Sequence, residues 1–140
     1  MKEKLETQKI LRSNTLIHTI PCCVDVEYFS KARAHDDKSD VFTFAYCGSV
    51  GTYNLIDEMF DFLNVVQKKR AVQFLILTQN QNRAEQFLSL RTDLSPKSIT
   101  ILFTPHKNIA SYLKTADAAL VFRRDSACAI ALRTLLKPTK

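Results

Sequence analysis

Gly48 and Gly51 are the only glycines in the 140 residues, and both fall in one short loop, Cys47-Gly48-Ser49-Val50-Gly51, behind an apolar run. Glycine lets a backbone approach an anion closely. The start of the helix expected to follow offers unpaired N–H groups and a partial positive charge, a combination that suits a diphosphate. The same residues also fit an ordinary tight turn, with Thr52 or Asn54 serving as a plain helix cap. The loop matches neither GxGxxG nor a P-loop.

Arg123 and Arg124 form a second group with chemical potential, since an arginine fork pairs with phosphate oxygens. Neighbouring residues of an extended chain point opposite ways, so one of the two would face a cleft and the other solvent. A solvated surface pair is the alternative. His106 opens a helical stretch, where it either borders a nucleotide base or sits on the surface; His18 and His35 carry no readable role. Asp57, Glu58 and Asp61 cluster early in another helical stretch, where they complement the dipole and need no catalytic explanation. No Ser/His/Asp or Cys/His arrangement can be placed, so no catalytic residue is assigned. Cys22, Cys23, Cys47 and Cys128 form neither a CxxC pair nor a Cys/His cluster. They read as buried or idle thiols, with no zinc site and no disulfide framework.

These residues depend on a regular alternation of elements for their placement. Val41 to Cys47, Val72 to Thr78, Ile99 to Phe103 and Ala118 to Phe122 read as buried strands. Leu55 to Lys68 is amphipathic, with Ile56, Met59, Phe60, Leu63 and Val66 at helical spacing. Gln81 to Leu90, Pro105 to about Thr115, and Ala127 to Leu136 complete the helices, with Ser95-Pro96-Lys97 as a turn and Pro138 as a stop. The order βαβαβαβα predicts an α/β fold, a Rossmann-like doubly wound parallel sheet covered on both faces. Ligands of such sheets bind beyond the carboxyl ends of the strands. Here those ends are Cys47 to Gly51, Thr78-Gln79-Asn80, Phe103-Thr104-Pro105-His106 and Phe122 to Ser126. Upstream, residues 2 to 13 are polar and helix-favouring, Leu16 to Ile20 is a short apolar piece, and Ser30 to Asp40 reads as a charged linker or exposed loop.

The composition is that of an ordinary globular domain, 46% hydrophobic and 24% charged. A net charge of +6 favours anionic partners, or serves solubility alone. No basic block is interleaved with aromatics, which argues against nucleic acid, while the charge allows peripheral association with a membrane surface. Charged residues interrupt every apolar run well short of the roughly 18 needed for a span, and no signal-peptide h-region follows Met1. The expected location is cytoplasmic.

Several segments together resemble the GT-B glycosyltransferases of the large family 4-like group. Thr19-Ile20-Pro21-Cys22-Cys23-Val24-Asp25-Val26-Glu27-Tyr28-Phe29 is similar to that family's entry to the donor domain. Phe44 to Tyr53 resembles its first donor-domain strand and loop, and Tyr112 to Leu120 its "YLxxADxxL" segment. Pro138-Thr139-Lys140 resembles the opening of its "PxKxxEYLAxGxPVI" region.

The resemblance implies an enzyme that moves a sugar from a nucleotide-sugar donor to an acceptor, with retention of configuration and without a metal or other cofactor. It implies a hinge or linking helix over 1–15 and the nucleotide-sugar-binding domain over 16–140. The Gly48, Ser49 and Gly51 loop would lie near the diphosphate, with Arg124 and Lys140 as its cationic partners. Thr104 and His106 would lie near the base. Positioned cations and N–H dipoles would stabilise the departing diphosphate. The chain departs from the family where many relatives carry an Arg and a Lys after the first strand; Ser49 and Tyr53 stand in that neighbourhood. Cys128 to Leu136 is also more apolar than the family pattern. The acidic residue expected beyond Lys140 and the N-terminal acceptor domain are both missing from the sequence. The expectation is a donor half truncated at its C-terminal end, inactive alone and silent on acceptor, sugar and base. A non-catalytic Rossmann-like domain that binds a nucleotide or a protein partner is the alternative. A receiver-like or flavodoxin-like domain is disfavoured, because no acidic cluster ends the first strand and no phosphate-loop pattern suggests flavin.

Overall fold

A computed structural model describes residues 24–35, 40–51 and 54–124 of the chain. The expected helix within 1–15, the apolar piece before Pro21, the helix from Ala127 to Leu136, and Thr52, Tyr53, Pro138 and Lys140 lie outside the described residues.

Three short runs rich in β-branched and aromatic residues and one alanine pair form the strands. They are β1 (Phe42–Cys47), β2 (Val72–Leu77), β3 (Ile99–Leu102) and β4 (Ala118–Ala119). All pair in parallel, in the spatial order β3-β2-β1-β4. The helices are α1 (Val26–Lys31), α2 (Ile56–Gln67), α3 (Gln81–Ser89) and α4 (His106–Leu113), with a 3-10 turn at Pro96–Ser98 before β3. The chain therefore steps outward from β1 to β3 and returns across the sheet to β4, which is the Rossmann-like winding expected. Boundaries fall within a few residues of expectation, except that β4 is only two residues long. α1 is new: Ser30 and Lys31, expected as linker, end a helix capped by Asp25, whose Oδ1 accepts the Tyr28 amide at 2.9 Å.

Side chains alternate between the two faces of each strand. On one face Tyr46, Phe74, Ile76 and Ile99 pack with Ile56, Met59, Phe60 and Leu63 of α2 and Ala84 of α3. The apolar positions of α2 fall on one stripe, and Met59, Phe60 and Leu63 are wholly buried. On the other face a smaller cluster of Ala45, Leu75 and Leu77 meets Ile109, Tyr112 and Leu113 of α4. Helices thus cover both faces. Arg91, just beyond α3, bridges Asp61 of α2 and Asp93, each at 2.8 Å, and ties α2 to the approach to β3.

The register fixes the edge where a ligand can sit. Cys47 pairs with Leu77, and Leu77 with Leu102, so β1, β2 and β3 end in one row. Asp117 locks β4 beside β1: its carboxylate accepts the Thr43 amide at 2.8 Å, and its own amide donates to the Thr43 carbonyl at 2.8 Å.

Candidate functional site

Beyond the aligned strand ends lies a cleft of about 330 Å³, within the range of small-molecule sites. Its walls are Cys47, Gly48 and Ser49 after β1, Leu77, Thr78 and Gln79 after β2, and Phe103, Thr104, His106 and Ile109 from β3 into α4. Four of the residues expected at the donor site therefore meet here: Gly48, Ser49, Thr104 and His106.

Gly51 and Arg124, also expected at the donor site, do not line it, and neither does Arg123. Gly51 lies beyond Val50, which is 2% exposed and turns into the core. Arg123 and Arg124 are both exposed and neither borders the cleft. The physical reason is a tie between the chain after β1 and the chain after β4. Leu55 donates its amide to the Phe122 carbonyl at 3.0 Å, and Asn54 forms an antiparallel bridge with Arg123. The cleft lies instead over β1 to β3, on the α4 side. Lys140 is outside the described residues.

The loop after β1 is braced by its own neighbours. The Gly48 amide donates to Leu77 O at 3.0 Å, continuing the sheet. The Ser49 carbonyl accepts both the Tyr46 hydroxyl and the Asn54 side-chain amide, each at 2.7 Å. The Val50 amide donates to Asn80 Oδ1 at 3.2 Å, and Asn80 is fixed by its own amide on Thr78 Oγ1 at 3.1 Å. Asn54, expected as a helix cap, serves this clamp instead; Leu55 is the N-cap of α2 and brings no side-chain bond. Among the described residues the amides of Ser49 and Gly51 have no acceptor.

The two glycines differ. A Cβ on Gly48 would stand 2.7 Å from the Tyr46 hydroxyl and 3.1 Å from its Cζ, so close packing against a buried ring explains this glycine. A Cβ on Gly51 would meet nothing within 4 Å, and neither glycine has a left-handed φ. Neither backbone conformation nor protein packing accounts for Gly51.

Electrostatics around the cleft are mild. Burial pushes the Tyr46 phenol above its ordinary value, against a smaller opposite pull from the Arg123 guanidinium. Desolvation likewise raises the Cys47 thiol, which disfavours the thiolate at neutral pH. Cys47, expected as a buried or idle thiol, is exposed, because it ends β1 on the side that opens to the cleft. The lining contains no carboxylate among the described residues. No three His, Cys, Asp or Glu side chains come together among them either.

The far wall is held from a distance. Tyr28 of α1 donates its hydroxyl to the His106 carbonyl at 2.5 Å and stacks on the His106 ring, with centroids 5.7 Å apart. Nothing in the sequence announces this contact across 78 positions. Phe103 is 53% exposed at the rim, an apolar surface open to a ligand. Sequence reasoning does not single out Cys47, Thr78, Gln79 and Phe103 as site residues, although the rule that ligands sit past strand ends points to each of them.

No helix among the described residues is long and apolar enough to cross a membrane. Compared with models of known protein families, with curated proteins and with solved structures, the chain matches none.

Proposed function

We propose that the cleft binds a nucleoside diphosphate-sugar, and that the chain is the donor-binding half of a family 4-like GT-B glycosyltransferase whose intact form transfers the sugar. One observation carries this reading. Gly48 and Ser49, more than fifty positions from Thr104 and His106 in sequence, share one cleft with them at the carboxyl edge of a parallel sheet. The resemblance in the sequence assigns these same residues to the donor. An amide at Ser49 with no acceptor among the described residues and an exposed aromatic at Phe103 supply a hydrogen-bond donor and an apolar surface. A nucleotide needs both.

The described lining holds no carboxylate, so proton transfer in the sugar-transfer step needs groups other than these. The chain by itself binds without turnover. The second reading is a non-catalytic Rossmann-like domain that binds a nucleotide or a protein partner.

The test is amide NMR on the full chain, titrated with UDP, GDP, ADP and their sugar conjugates. Saturable shifts at Gly48, Ser49, Thr104 and His106, stronger for one base than for the others, support donor binding. If none of these ligands moves the cleft amides, the donor reading is wrong, and a stable complex with a protein partner becomes the expectation. Restored turnover on joining the chain to an acceptor domain separates the glycosyltransferase from the purely binding reading.

A further inference from the structure

The wall of the cleft at His106 is braced by a segment outside the core. α1 buries none of its residues, and neither core cluster includes one of them. Val24 just before it and Val26 within it are 61% and 70% exposed. The segment is instead fastened to α4 at both of that helix's ends. At the start, Tyr28 stacks on His106 with the ring planes 15° apart, and its hydroxyl donates to the His106 carbonyl. Toward the end, the His35 amide donates to the Ser111 carbonyl at 3.1 Å, and the His35 ring stacks on Tyr112 with centroids 4.4 Å apart.

The two fastenings differ in what they face. His35, Ser111 and Tyr112 do not border the cleft, whereas His106 does. No hydrogen bond fixes the His106 imidazole, since neither ring nitrogen bonds to a described residue. Its orientation is left to packing, and Tyr28 is the ring stacked against it, at a centroid distance where aromatic pairs attract. Phe29 backs Tyr28 edge-on, with centroids 4.9 Å apart and planes 82° apart. Within α1 only Tyr28 and Phe29 are half-buried, and the rest are exposed. The burial in this helix is thus concentrated in the two rings behind His106.

We propose that Tyr28 is a positioning residue of the cleft: its ring holds the His106 imidazole toward the base end of a bound nucleotide, and its hydroxyl holds the His106 backbone. The proposal rests on the nucleotide reading and adds to it a residue that lies outside the lining. Tyr28 acts through His106 and does not touch the ligand. An imidazole free to turn loses rotamer freedom when a ligand arrives, and that loss subtracts from affinity. One already held presents its hydrogen-bonding edge to a base without further ordering.

The test is a double-mutant cycle on the full chain. Calorimetry gives the affinities of wild type, Tyr28→Leu, His106→Ala and the double variant for UDP, GDP and ADP. For the diphosphate that wild type binds most tightly, Tyr28→Leu is expected to weaken binding about tenfold, the upper range for one aromatic pair. His106→Ala should lose at least as much, and the double variant no more than His106→Ala alone, which marks action through His106. Tyr28→Phe keeps the stack and should recover most of the affinity. The core and the His35 fastening are untouched, so the urea midpoints should stay near the wild-type value. Additive losses overturn the proposal, as does wild-type affinity in Tyr28→Leu, and both leave the nucleotide reading intact. A loss in Tyr28→Phe as large as in Tyr28→Leu overturns the role of the stack. A midpoint that falls together with the affinity makes Tyr28 a support of the fold and overturns positioning. A wild type that binds none of the three diphosphates removes the nucleotide reading, and the proposal with it.

Discussion

The two walls of the cleft are built on opposite plans. The loop after β1 is tied down at nearly every residue. Leu77 holds Gly48, Tyr46 and Asn54 hold the Ser49 carbonyl, and Asn80 holds Val50. The start of α4 is held from behind by Tyr28 on the His106 carbonyl, and its leading amides, at His106 and Lys107, have no acceptor among the described residues. The more conspicuous sequence feature, a pair of glycines, thus marks the wall whose polar groups are mostly engaged in holding the fold. The plainer one, Phe103-Thr104-Pro105-His106, keeps its donors open. A glycine pair signals close approach without saying whether the approaching group is a ligand or the protein itself.

The largest expected effect tests how rigid the first wall is. Gly48→Ala drives a methyl into the Tyr46 ring, which is 3% exposed and packed in the main core. Relief requires moving that ring or the loop, at a cost of about 1–3 kcal/mol. A urea titration should show a lower midpoint at constant slope. A wild-type midpoint would mean that Tyr46 does not lock the loop. Asn80→Ala comes next. It removes the acceptor of the Val50 amide, at a residue that is 2% exposed, and should cost about 1–2 kcal/mol by the same measurement.

Tyr46→Phe is milder, because Asn54 still donates to the Ser49 carbonyl. A loss of about 0.5–1 kcal/mol at neutral pH is expected. Its pH dependence is more informative. Burial raises the phenol above its ordinary 10.0, so the unfolded chain ionises first as the solution becomes alkaline. The stability linked to the neutral phenol is fully present below pH 10 or so and is lost as pH rises above it. The phenylalanine ring cannot ionise, so the variant should lack this alkaline decline, and the gap between the two proteins should narrow with rising pH. Parallel curves would show that Tyr46 titrates normally.

The fold was legible in the sequence because its signals are local. Strand runs such as Val72 to Leu77 and the stripe Ile56, Met59, Phe60 and Leu63 state their own periodicity, and a βα alternation leaves few topologies open. Half of the cleft was legible for the same reason, since the rule for open sheets names the loops after each strand. Which loops meet was not. The tie between Asn54 and Arg123 moves Arg123, Arg124 and Gly51 away from the cavity, and it depends on a contact across 69 positions. The hold of Tyr28 on His106 depends on one across 78. Two residues of the resembling segments also have structural duties that suffice to explain them: Asp25 caps α1, and Asp117 clamps β4 to Thr43. Such a pattern reports a shared way of folding as readily as a shared chemistry.

The smallest expected change in stability sharpens the comparison most. Gly51 sits in open space without a left-handed φ, so Gly51→Ala should alter stability by no more than about 0.5 kcal/mol, or raise it by up to ~1 through the lower entropy of the unfolded chain. Binding is the sensitive readout. If a nucleotide rests against the backbone of this loop, the added methyl occupies its space, and affinity for a nucleoside diphosphate should fall severalfold. No loss would mean that Gly51 meets no ligand, leaving the walls that line the cleft to do the binding.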